Sequence, residues 1–342
     1  MEIFKWGIIG AGNIAKDFLE DLKHLADQPQ KVTAVVSHTI TGAKDFASQC
    51  GVPLYYDDME KFINDTKVDA VYIATPHTSH YEQALVCLQN KIPVLCEKPM
   101  AINSEQAKDL IRESAGSETF LMEGMWIRFL PSIKQVIELV QKDTIGQVIA
   151  IKATMSYKAP SDPGNRFFNP GLGGGSLLDL GIYPVYLSLL LLGRPAKIKA
   201  LCKLSDKQID ESCAMLFQYE GGQYAILDSS IIVQTDQTAT IYGDKGTIKI
   251  LEQWNERPAG IVLQLYNGEV KKYPCQWQGR GLQYEVEEAV RCIKNKQLQS
   301  DLLSHQVSID LAEIMEDIRR QVNITYEREP YEELLNRETD ER

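Results

Sequence analysis

The chain of 342 residues has only five histidines, no H-E-x-x-H segment, and no C-x-x-C pair among its seven cysteines. Cys50, Cys87, Cys96, Cys202, Cys213, Cys275 and Cys292 are scattered and odd in number, which argues against both a zinc site and a disulfide framework. Most are expected to be reduced core thiols, and no metal is expected. Basic side chains are also short: 36 Lys and Arg face 47 Asp and Glu, a net charge of −11. Such a surface repels phosphate backbones and anionic lipid, so neither nucleic acid nor a membrane is an expected partner. Long apolar runs are missing as well. The longest, near Leu187 to Leu192, follows Pro184 and stops at Gly193, well under the roughly 20 residues that span a bilayer; it reads as a buried helix. The opening MEIFKWGIIGAG shows no basic stretch followed by an apolar core and a cleavage site, so a cytoplasmic location is expected.

What is present is a change of pattern along the chain. Up to residue 122, short apolar runs (FKWGII, KVTAVVS, VDAVYIAT, IPVLC, TFLM) alternate with helical segments at 13–25, 42–50, 80–90 and 104–115. That spacing predicts βαβ units and a parallel sheet, with strands such as 68–74 covered on both faces. Beyond Met122 a helix follows Pro131, a strand runs from Gln147 to Tyr157, a Pro/Gly/Asn-rich loop covers 159–175, and an apolar helix fills 176–192. From 196 to 273 strands follow strands, with breaks at Glu220-Gly221-Gly222, Gly243-Asp244-Lys245-Gly246 and Asn267-Gly268. Helices at 283–294 and 305–323 close the chain. The fold expected is an α/β Rossmann domain (1–122), then an α+β domain with a mostly antiparallel open sheet (123–330) and a loose tail (331–342). Ile231, Val233, Ile241, Ile248 and Ile250 are expected on an uncovered apolar sheet face, where a second copy would pack to give a homodimer.

Gly10-Ala11-Gly12-Asn13-Ile14-Ala15 stands directly after the first strand and opens a helix. In that setting G-x-G-x-x-A carries a mechanism: Gly10 makes the tight turn, Gly12 lets a pyrophosphate approach, and Ala15 permits helix packing. A dinucleotide cofactor is therefore expected. The second strand ends in Ser37-His38-Thr39, with Lys44 nearby, where an acidic residue would select the free ribose of NAD. Hydroxyls and an imidazole suit a 2′-phosphate better, so NADP is preferred over NAD, although no Arg is present to clamp it. Glu97-Lys98-Pro99 sits at the carboxyl end of a parallel strand, where ligands of such sheets bind; Lys98 either points into that crevice or snorkels to the surface. Asp179 and Tyr183, four residues apart in Gly173-Gly174-Gly175-Ser176-Leu-Leu-Asp179-Leu-Gly181-Ile-Tyr183, share one helix face in an apolar setting, as a structural pair or a catalytic one. Pro184 removes a helix hydrogen bond beside them.

Together these motifs resemble the Gfo/Idh/MocA family of nicotinamide-dependent oxidoreductases over nearly the whole chain, with a pattern most similar to the dimeric dihydrodiol dehydrogenases and NADP-dependent xylose dehydrogenases. The resemblance implies that Lys98 is the catalytic lysine, Asp179 the helix aspartate and Tyr183 the acid/base residue. It also implies that Thr75-Pro76-His77-Thr-Ser-His80 is the turn beside the nicotinamide, with His77 where asparagine is commoner. The implied substrate is a sugar, cyclic polyol or dihydrodiol. Trp126 and Arg128, where the chain crosses between domains, and Arg166 and Phe167, in the long loop, are candidate substrate contacts; Trp126 serves interdomain packing equally well. Tyr183 would exchange the substrate proton with its phenolate favoured by Lys98, or Lys98 would carry the proton itself. A regulatory protein that kept the fold and senses cofactor or sugar without turnover is the alternative, and the joint presence of Lys98, Asp179 and Tyr183 speaks against it.

Overall fold

A computed structural model describes residues 3–25, 29–160, 162 and 165–326; the tail expected at 331–342 lies outside them. Strands β1 (Phe4–Ile9), β2 (Gln30–Val36), β3 (Leu54–Tyr56), β4 (Ala70–Ile73), β5 (Val94–Glu97) and β6 (Leu121–Gly124) form one parallel sheet in the order β3-β2-β1-β4-β5-β6. Helices α1 (Asn13–Leu22), α2 (Ile40–Cys50), α3 (Met59–Asp65), α4 (His80–Gln89) and α5 (Ser104–Ser117) connect them. Val71, Tyr72 and Ile73 have no exposed surface, as both faces of the sheet are covered. The strand order reverses between β1 and β4, which opens the crevice where such sheets take their ligands.

The sequence reading passes from Gly51 to Val68 without an element, and the structure places β3 and α3 there. β3 is three residues long with two of them exposed, so it carries no alternating signal. The α3 start was legible in principle, since the Asp58 carboxylate accepts the Lys61 N–H as an N-cap. The second helix begins at Ile40 instead of 42, because Thr39 caps it by accepting from the Gly42 N–H at 3.2 Å.

The second domain opens with α6 (Pro131–Gln141) and builds an eight-stranded sheet from β7 (Val148–Ser156), β8 (Lys197–Leu204), β9 (Asp210–Gln218), β10 (Tyr224–Ser230), β11 (Ala239–Gly243), β12 (Gly246–Ile250), β13 (Gly260–Leu265) and β14 (Val270–Pro274). Its order is β14-β13-β12-β11-β7-β10-β9-β8, antiparallel except where β10 runs parallel to β7. Helix α7 (Ile182–Leu192) lies on one face with Ile182 to Leu189 all buried; α8 (Leu282–Lys294) and α9 (His305–Gln321) complete the fold. The side-chain period of two decides which face is covered. Ile241, Ile248 and Ile250 have no exposed surface and belong to the helix-covered face; Ile231 is equally buried but follows β10. Val233 is exposed but follows β10. The open face instead carries Leu201, Leu216, Tyr224 and Ile226.

Candidate active site

Gly10 has φ +105, and a Cβ there would come within 2.8 Å of the Ala74 carbonyl group, so this turn between β1 and α1 requires glycine. At Gly12 the nearest atom to a Cβ would be the Ala74 carbonyl oxygen at 3.8 Å, which leaves open space over the start of α1. No side chain caps that helix, and no acid lies in its first turn. The N–H groups of Asn13 and Ile14, with the positive end of the helix, are thus presented to an anion, and these residues fit a pyrophosphate. At the end of β2, Ser37 is half-buried and His38 and Thr39 are exposed; Thr39 is engaged in its cap.

Lys98 leaves the end of β5 and is 8% exposed; it does not snorkel. Its Nζ donates to the Asp179 carbonyl at 2.7 Å and to Asp179 Oδ1 at 3.0 Å, and lies 4.9 Å from the centre of the Tyr183 ring. The backbone around that carbonyl is irregular. Leu177–Gly181 form a π turn, in which each carbonyl is met by the N–H five residues on. In that register the donor for Asp179 is residue 184, and Pro184 has no N–H. Pro184 can make no such bond, and Lys98 takes the Asp179 carbonyl beside the side-chain carboxylate.

Two further groups converge on Asp179. Arg166 donates to Oδ2 at 2.8 Å while its guanidinium stacks on Phe167, 4.6 Å from the ring centre. His77 Nε2 lies 3.7 Å from Oδ1. Burial opposes charge on Asp179, but Lys98 and Arg166 outweigh it and hold the carboxyl well below its ordinary range. Burial pushes His77 down to about 3, so the imidazole is neutral at physiological pH and its contact with Asp179 is not an ion pair. Its Nδ1 lies 3.2 Å from the Gly173 carbonyl, and the Thr78 hydroxyl donates to the Gly171 carbonyl at 3.1 Å. The turn after β4 thereby holds the loop that carries Arg166. His80 has Nδ1 2.7 Å from the Pro99 carbonyl and Nε2 2.8 Å from that of Thr75, which ties the Thr75-Pro76 turn to the Glu97-Lys98-Pro99 stretch. Thr75 itself donates to Gln83 at 2.6 Å.

Tyr183 is 8% exposed. Burial raises its phenol well above 10, and Glu97, Asp179 and Glu256 add to the effect. The cation of Lys98 over the ring does not reverse this, so the phenolate expected from the sequence gives way to a protonated tyrosine in the unliganded protein. Glu97 accepts a short hydrogen bond from the Tyr72 hydroxyl, and burial raises its carboxyl.

The structure thus brings together Lys98, Asp179, Tyr183, His77, Arg166 and Phe167. Arg128 is not among them: its Nε donates to the Leu302 carbonyl at 2.8 Å. Trp126 packs against the main core, and its Nε1 is buried without a partner among the described residues. The sequence reading also overlooked Glu285, which is wholly buried with neither carboxylate oxygen hydrogen-bonded among the described residues. Burial raises its carboxyl, and the charges of Glu97 and Asp21 add to the effect. Its signal was an acid amid the apolar spacing Leu282, Val286, Ala289 of α8. The charge of Glu256, in the loop between β12 and β13, reaches Tyr183 and was not foreseen either.

A pyrophosphate cradle and a lysine on a parallel sheet, joined across a cleft to an aspartate and a tyrosine on a second domain, define a two-domain dinucleotide-dependent oxidoreductase. The chain belongs to the Gfo/Idh/MocA oxidoreductase family: residues 4–125 match its NAD-binding Rossmann-fold model and residues 133–249 the family's C-terminal domain. It is 33% identical to the trans-1,2-dihydrobenzene-1,2-diol dehydrogenase of Xenopus tropicalis, over 94% of this chain and 99% of that one. Identity to the human enzyme of the same name is 29%, over 94% and 98%. Among solved structures, a 3-ketoreductase from Actinomadura kijaniata with NADP and TDP-benzene superposes with TM-score 0.83 at 21% identity, covering 94% of this chain and 98% of that one. A levoglucosan dehydrogenase with NADH and L-sorbose gives 0.85 at 16%, covering 94% and 97%.

Proposed function

We propose that the protein transfers a hydride between a nicotinamide dinucleotide and a hydroxyl-bearing ring carbon of a sugar, cyclic polyol or dihydrodiol. The observation that carries this reading is the convergence of Lys98, Asp179 and Tyr183 at the carboxyl end of β5, across the cleft from the glycine turn. Bound nicotinamide supplies or accepts the hydride; the chain supplies the rest. Lys98 donates hydrogen bonds to the substrate oxygen and stabilises the negative charge that develops there. Asp179 fixes Lys98 through its carbonyl and one carboxylate oxygen, and holds Arg166 with the other. Tyr183, protonated at neutral pH, gives its proton to the alkoxide in reduction and takes it back in oxidation. Calorimetric titration with NAD, NADP and their reduced forms, followed by absorbance at the reduced-nicotinamide band with pentoses, hexoses, inositols and dihydrodiols, tests the reading. No binding of any of the four would end it; binding without turnover across the panel would favour a sensor.

NADP is the preferred cofactor, supported by the absence of an acid at Ser37-His38-Thr39. Ser37→Asp is expected to shift the ratio of NADP to NAD affinity toward NAD by repelling the 2′-phosphate. An unchanged ratio would show that this turn does not contact the ribose.

The reading includes a homodimer formed through the open face of the second sheet. Leu201 is 81% exposed there and Leu216, Ile226 and Tyr224 between 40% and 49%, an apolar patch of the kind that marks an interface. Light scattering is expected to give twice the chain mass of 38.5 kDa, falling to one chain in Leu201→Glu; a single-chain mass for the unmodified protein at micromolar concentration would refute it. A cytoplasmic location is supported by seven free cysteines, which suit a reducing compartment.

A further inference from the structure

Two of these cysteines face each other across a strand pair. Cys202 of β8 is the direct register partner of Cys213 of β9, and the backbone settles what kind of pair they form. On β9, Ile231 N donates to Glu211 O and Tyr219 N to Gln223 O, both at 2.9 Å. Odd-numbered residues of β9, Cys213 included, therefore direct their backbone groups to β10 and not to β8. From the other side, Ala200 N points away from β9 and donates to Gln321 Oε1 of α9 at 3.3 Å, so even-numbered residues of β8, Cys202 included, do not bond to β9. Cys202 and Cys213 consequently occupy a non-hydrogen-bonded position, where Cα atoms are about 4.5 Å apart and side chains are closest. That separation lies within the range a disulfide accepts, about 4.4 to 6.8 Å.

Both side chains point to the helix-covered face, Cys202 half-buried and Cys213 at 2% exposure. The first is reachable from solvent and the second is not. None of the proposed chemistry uses either.

We propose that Cys202 and Cys213 are a redox site that closes to a cross-strand disulfide when the protein meets a small-molecule disulfide such as oxidised glutathione. Cys202 Sγ, after losing its proton, attacks one sulfur of the reagent; the reagent S–S bond breaks and one thiol leaves. Cys213 Sγ, also deprotonated, then attacks the Cys202 sulfur of the mixed disulfide, and the second thiol leaves with its electron pair and takes up a proton. Two protein thiols are oxidised to one disulfide and one reagent disulfide is reduced to two thiols. The neighbouring Cys213 thiol and burial hold Cys202 protonated, so the exchange is slow compared with that of a low-pKa sensor thiol. The product staples β8, the edge strand, to the sheet.

The full chain is incubated with oxidised glutathione, free thiols are alkylated, and peptides are mapped without reduction. The expected result is loss of two thiols, a mass lower by about 2 Da for the two hydrogens removed, one cross-linked peptide joining 202 to 213, and a higher melting temperature that dithiothreitol reverses. Cys213→Ser is expected to stop at a stable glutathione adduct on Cys202. Cys202→Ser, at the half-buried position, is expected to keep all its remaining thiols. Retention of seven thiols by the unmodified protein, an adduct that never resolves, or a cross-link through another cysteine would each overturn the proposal.

Discussion

Tyr183→Phe is expected to lower turnover by roughly 10²- to 10⁴-fold while leaving cofactor affinity nearly unchanged. The substitution keeps a ring under the Lys98 ammonium, 4.9 Å from it, and removes only the hydroxyl. The loss corresponds to about 3 to 5 kcal/mol of transition-state stabilisation, the usual worth of one acid/base group. Lys98→Met is expected to do comparable damage, and the double variant little more, since groups acting as a unit lose most of their effect at the first deletion. The pH profile carries the sign. Burial and the neighbouring carboxylates hold the phenol well above 10, so reduction, which needs the phenol, stays level across neutral pH. Oxidation, which needs the phenolate, climbs into the alkaline range. Turnover of Tyr183→Phe within a few-fold of the unmodified protein, with Lys98→Met still severe, would move the proton to the lysine.

The second large effect is structural. Asp21, on the third turn of α1 and 1% exposed, accepts from the backbone N–H groups of Arg280, Gly281 and Leu282 at 2.8 to 3.0 Å. A side chain of the first domain thus caps α8 of the second, and Arg280 adds an ion pair with Asp17 at 3.2 Å. Asp21→Ala leaves buried donors unsatisfied, each costing about 1 to 3 kcal/mol. A total near 3 kcal/mol is expected, seen as a melting temperature lower by roughly 5 to 10 °C. Asp21→Asn retains one acceptor oxygen and is expected to lose less. Equal melting temperatures for Asp21→Ala and the unmodified protein would show that water replaces the carboxylate at no cost.

The parallel sheet and the Lys98, Asp179, Tyr183 grouping were legible because each sits in a local pattern: apolar runs closed by glycine turns, and charged groups isolated in apolar segments. What stayed hidden depends on distance in the chain. Asp21 reads as one more surface acid of α1 until residue 281, 260 positions later, arrives to use it. The open sheet face was assigned to the wrong isoleucines because the period of two gives the alternation of a strand but not which parity the helices cover. The phenolate expected from the Lys98 cation failed for a related reason, since the sequence does not reveal that Tyr183 is buried and that the charges of Glu97, Asp179, Glu256 and Glu285 act on it as well.

The two ends of the cleft are fastened unequally. At one, a buried carboxylate grips three consecutive backbone groups across the α1–α8 boundary; at the other, His77 against Gly173 and Thr78 against Gly171 join a turn to a loop. The molecule is built like a book whose spine is α1 against α8 and whose fore-edge is that loop. At the fore-edge the Lys98–Asp179 ion pair also spans the cleft, whereas at the spine the link is the cap of a helix. Because Arg166 also holds Asp179, the loop at the fore-edge is tied at once to the His77 turn and to the carboxylate that receives Lys98.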